Sequence, residues 1–109
     1  MDIGTTMVHF QLTQEQLNTR TDKAVLIELA KSENGKEEIK EWVPLSKIEF
    51  EQCDNDPTKY DVIMPKWLFY KKEVLPLRIK VLSEFVVNTY ANKYELLATA
   101  RKQTTNDIQ

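Results

Sequence analysis

The sequence predicts an α+β fold: a small, mostly antiparallel, curved sheet or barrel of about five strands, with a short helix and a long C-terminal helix. Three observations carry that prediction. Short apolar runs fill residues 8–65, each ended by a proline or a cluster of turn formers. Between two of them stands Asn34-Gly35, a pair suited to the positive φ angles of a two-residue hairpin turn. After Pro76 the apolar period changes from two to three or four. At 109 residues the chain holds one core, so 1–109 reads as a single domain: a β-rich core at 8–65, a short helix at 65–72, a long helix at 76–102 and a flexible tail at 103–109.

Taken in order, VHFQL at 8–12 places Val8, Phe10 and Leu12 on one side of a strand. Thr13 then precedes Gln16 by three residues, the pattern of a capping box, and predicts one helical turn. AVLIEL at 24–29 is a near-continuous run of strand formers. With Asn34-Gly35 as the turn, Lys31 meets Glu38, Ala30 meets Ile39, Ile27 meets Trp42 and Leu26 meets Val43. This register makes Trp42 a core residue, and it sets Glu28 against Glu41, a repulsive pair. Pro44 stops the strand, LSK turns a corner, and IEFEQ resumes the alternation. CDNDPTK is a loop, and YDVIMP returns with Tyr60, Val62 and Met64 on one face. Pro65 suits the first position of a short helix, PKWLFYKK.

Beyond Pro76, Ile79, Leu82, Val86, Tyr90, Tyr94 and Leu97 recur at helical spacing, the stripe of an amphipathic helix of up to about 25 residues. A break near Asn88 or Asn92 is the alternative. Such a helix outruns a strand, so its end would overhang the sheet. The stripe Val86, Tyr90, Tyr94 and Leu97 is therefore read as a homodimer interface within 86–98.

Chemistry is bounded mainly by exclusion. The net charge of −2 gives no global field to attract a polyanion. Cys53, the one cysteine, has no partner for a disulfide, and its acidic surroundings raise the thiol pKa rather than lower it. His9 is the single histidine, which leaves a Cys-His enzyme improbable. Asp54, Asp56 and Asp61 lack the spacing of a calcium loop, and Gly4 and Gly35 alone cannot build a glycine-rich phosphate loop. The reading is of a protein that is not an enzyme, with no catalytic, cofactor or metal site. With no apolar run of spanning length and no signal peptide at the start, a cytoplasmic location is expected.

The candidate partner-binding residues are Trp67, Tyr70, Lys71 and Lys72, aromatics interleaved with cations, which could stack on unpaired bases and hold a phosphate. Glu37 and Glu38, in ENGKEEIKEW, are candidates for a negative surface that meets a basic protein.

KAVLIE, EWVPLSKI and YDVIMPKWLFYKK, taken together, resemble short uncharacterised bacteriophage and prophage proteins. Trp42, Pro44, Ser46 and Ile48 fit a Trp-hydrophobic-Pro-x-Ser-x-hydrophobic block. Ile63, Pro65, Trp67, Leu68 and Lys71 or Lys72 fit a second block around Pro-x-Trp-Leu. The match covers residues 23–72, and the segment after Pro76 departs from it. The resemblance implies a phage setting in the host cytoplasm and no particular activity. The expected function is a phage-encoded binding module acting on a protein, such as an inhibitor of a bacterial defence system of the CRISPR effector kind. An accessory single-stranded nucleic-acid-binding protein of phage replication or recombination is the alternative.

Overall fold

The computed structural model describes residues 4–31, 38–88 and 92–108, with the side chains of 31, 38 and 104–108 outside the description. The strands are β1 (Thr5–Thr13), β2 (Thr19–Arg20), β3 (Ala24–Lys31), β4 (Glu38–Pro44), β5 (Glu49–Gln52), β6 (Lys59–Pro65) and β7 (Ser83–Val87). The helices are α1 (Lys66–Lys71), α2 (Val74–Arg78) and α3 (Lys93–Ile108). One four-stranded sheet runs β5-β6-β1-β7 and one three-stranded sheet runs β2-β3-β4, each antiparallel throughout. The α+β class holds, but the sheets do not close into a barrel.

Alternation sorts β1 between two apolar clusters. Val8, Phe10 and Leu12 face the main core, together with Val62 and Met64 of β6, Val25 and Ile27 of β3, and Val43 of β4. Met7 and, from β6, Ile63 face the other way, where Phe85 of β7 and Leu96, Leu97 and Ala100 of α3 cover them. The four-stranded sheet is thus a shared wall, with the small sheet and α1 on one side and α3 on the other.

Local signals in the first half set the elements as expected. The Thr13 hydroxyl accepts from the Gln16 N–H at 3.4 Å while the Gln16 side chain accepts from the Thr13 N–H at 2.8 Å, and a 3₁₀ turn follows at Glu15–Leu17. Leu45–Lys47 forms a second 3₁₀ turn at the LSK corner.

The hairpin register is corrected by a bulge. Its turn lies outside the described residues, but the strands beside it pair as expected, Lys31 with Glu38 and Ala30 with Ile39. Leu29 is then an extra residue on β3, so Glu28 lies opposite Lys40, Ile27 opposite Glu41 and Leu26 opposite Trp42. The slip replaces the repulsion of Glu28 and Glu41 with an attractive pair. A one-residue shift also flips faces, and it carries Trp42 out of the core to 44% exposure while Val43 turns in.

A second correction concerns the long helix at 76–102. Pro76 lies inside the short α2, and at Ile79 the backbone turns extended, with φ −114° and ψ 130°. Ile79, Val81, Val86 and Val87 are β-branched, and Ser83–Val87 becomes β7, which pairs with β1. The three-and-four spacing of this stretch coincided with an alternating pattern, and the open edge of β1 decided between them. α3 starts only after Asn92, whose Oδ1 accepts from the Glu95 N–H at 3.0 Å while its Nδ2 donates to Glu95 Oε1 at 3.0 Å. It continues through Ile108, so the expected tail at 103–109 is helical as far as that residue. Among the described residues no helix is long and apolar enough to cross a membrane.

Candidate functional site

Pro65 ends β6 in extended geometry, φ −60° and ψ 137°, and the chain turns directly into α1. Within one and a half turns the helix divides its side chains. Leu68 and Phe69 are buried, and the Phe69 ring sits 5.3 Å from Phe10 in the main core. Trp67 and Tyr70, three residues apart and so on one face, stand 56% and 46% exposed. Phe69 also braces Tyr70 in an edge-to-face contact at 5.2 Å, so the outer ring is held by the inner one.

Opposite these rings is the start of β1. Gly4, Thr5 and Thr6 join Lys66, Trp67 and Tyr70 around an open hollow of about 570 Å³. A side chain at Gly4 would collide with Val86 Cγ1, so glycine lets β1 and β7 approach at the rim. The Lys66 ammonium bonds Glu84 at 2.9 Å and lies 6.0 Å from the centre of the Tyr70 ring. The Glu84 hydrogen bond, with its charge, raises the Lys66 pKa above its ordinary value.

The structure brings together only part of what the sequence nominated. Trp67 and Tyr70 share the hollow, and Lys71 is exposed at the end of the same helix. Lys72 instead turns to β4, where it bonds Glu41 at 2.9 Å. Glu37 lies outside the described residues, and only the backbone of Glu38 is described. The intended dimer stripe is dispersed because its helix does not exist: Val86 is on β7, Tyr94 is 79% exposed on α3, Leu97 is buried at 4%, and Tyr90 lies outside the described residues.

A second polar constellation was not anticipated. His9 Nε2 donates to Asp61 Oδ1 at 2.8 Å, Gln11 Nε2 donates to the same oxygen at 3.2 Å, and Arg101 Nε donates to Asp61 Oδ2 at 3.0 Å. Burial alone would raise the Asp61 carboxyl, but these hydrogen bonds outweigh it and hold it well below the usual carboxylate range. Cys53, beside Gln11 at 3.6 Å, is pushed up to about 11 by burial and then by Asp61, the direction the sequence implied. Ser83 lies opposite His9, and its buried Oγ has no hydrogen-bond partner. Ser, His and Asp are the residue types of a hydrolase triad, yet here none exceeds 7% exposure and α3 covers them. The cluster acts as a polar clasp between α3 and the sheet. Alternation had placed His9, Gln11 and Asp61 on the faces opposite Phe10 and Val62, which was the one available signal. Among the described residues, no group of three or more His, Cys, Asp or Glu side chains is placed to hold a metal ion.

No family model matches the chain, and neither a curated protein nor a solved structure matches it.

Proposed function

We propose that this chain is a non-enzymatic binding module that grips another protein through the aromatic face of α1. The observation that carries the reading is the pair Trp67 and Tyr70, exposed beside an open hollow, with Tyr70 braced from beneath by buried Phe69. Exposed aromatics held rigid lose little freedom on binding, which is why such residues dominate protein interfaces. Charge favours protein over single-stranded nucleic acid. A stacking platform needs several cations free to follow the phosphates, whereas two of the three lysines at α1 are committed, Lys66 to Glu84 and Lys72 to Glu41, which leaves Lys71 alone exposed without such a pair among the described residues. In the phage setting that the sequence resemblance implies, a host defence complex in the cytoplasm is the coherent target.

The test uses a Trp42→Phe background, so that Trp67 alone reports. Adding an oligothymidylate should leave its fluorescence unchanged, and affinity capture from host lysate should retain a protein that the Trp67→Ala, Tyr70→Ala double variant does not. A saturable response to oligothymidylate that weakens with salt would replace this reading with the nucleic-acid one. Equal capture by the double variant would reject the α1 face.

A further inference from the structure

Four sheet edges are present among the described residues, and three are blunted. β2 has only two residues. β4 ends at Pro44 and carries Glu41, tied to Lys72. β5 carries Glu49 and Glu51, and α3 clamps it through Lys93 to Glu51 at 3.0 Å and Arg101 to the Gln52 carbonyl at 3.2 Å. These are the usual devices against strand addition. β7 differs. It is the outer strand beside β1, it contains no proline or lysine, and its single charge, Glu84, is drawn to Lys66 on α1. Val86, the fourth of its five residues, stands 66% exposed.

We propose that the outer edge of β7 is a self-association surface, where a second copy of this chain adds antiparallel across a twofold axis centred on Val86. Residues directly opposite in antiparallel strands share a face, so an axis normal to the sheet must pass midway between a residue and its own copy. Centred on Glu84, it would oppose two carboxylates. Centred on Phe85, it would set Glu84 against an apolar Val86. Centred on Val86, it forms a β-branched apolar pair on the open face, sets Phe85 opposite the partner's Val87, and places Glu84 opposite the partner's Asn88. Of these three registers, the last alone has no like charges opposed and no charge set against an apolar side chain. The four-stranded sheet becomes continuous through both copies. Because this axis preserves faces, both Trp67-Tyr70 hollows open on the same side, which makes the assembly a bivalent display.

Light scattering at tens of micromolar should give twice the 12.8 kDa of one chain. Val86→Lys faces two like charges on the axis and should raise the dimer dissociation constant at least about tenfold, with an unchanged melting profile of the subunit. On a Cys53→Ser background, Val86→Cys should cross-link between copies under mild oxidation, whereas Glu84→Cys should not. A wild-type monomer overturns the proposal, whether or not β7 accepts a strand from another protein. So does a dimer unaffected by Val86→Lys, or one cross-linked through Glu84→Cys in place of Val86→Cys.

Discussion

Phe69 is the root of the exposed face of α1, and its ring is fully buried against Phe10. Phe69→Ala should cost about 3–5 kcal/mol in denaturant unfolding and loosen Tyr70 with it. Trp42→Ala, by contrast, removes a half-exposed ring and should cost about 1 kcal/mol or less, although the unbulged register would have made it a core truncation. Asp61 supplies a pH signature. Its folded-state pKa is depressed, so the unfolded chain takes up that proton at higher pH than the folded one. The stabilisation is complete above about pH 5 and is lost progressively as pH falls through about 4 toward the folded value. Urea midpoints measured from pH 6 to pH 2.5 should fall more steeply for the wild type than for Asp61→Asn; parallel slopes would remove Asp61 from the account.

For a helix of 16 residues, α3 rests on little apolar contact. Leu96, Leu97 and Ala100 cover Met7, Ile63 and Phe85, and among the described residues the further attachment is mainly polar: Lys93 to Glu51, and Arg101 to Asp61, Asp54 and the Gln52 carbonyl. The chain covering this face of the sheet should therefore open before the sheet itself. In hydrogen exchange, α3 amides should exchange ahead of those in β1 and β6. Arg101→Ala should lower α3 protection at least about tenfold, because it breaks hydrogen bonds to a charged, buried carboxylate. Equal loss across β1 would show that α3 and the sheet open as one unit.

For the molecule as a whole, the decisive feature is that β1 serves both clusters, with Val8, Phe10 and Leu12 on one face and Met7 on the other. Global loss of either layer exposes the strand that the other layer needs. Equilibrium urea unfolding followed by tryptophan fluorescence, which reports β4 and α1, should coincide with unfolding followed by far-ultraviolet circular dichroism, to which α3 contributes heavily. Separated midpoints would mean that the α3 layer melts on its own in a populated intermediate.

What the sequence determined by itself is what short range decides. Thr13 and Gln16 close their turn within four residues, Pro44 and Pro65 end strands by lacking an N–H, and the alternation of VHFQL and YDVIM assigns inner and outer faces. The exposed pair Trp67 and Tyr70 was legible for the same reason, since PKWLFYKK specifies a short helix beside a proline. Only the tertiary structure decided which way Trp42 faces, because the bulge at Leu29 follows from how β3 must meet β4 with Glu28 against Lys40. It also decided that Ser83–Val87 is a strand, because β1 presented an edge that a helix could not satisfy. The clasp of His9, Asp61 and Arg101 is non-local in the same way: the pairing of β1 with β6 brings His9 to Asp61, 52 positions away, and the docking of α3 on the sheet adds Arg101, proximities that no local pattern encodes.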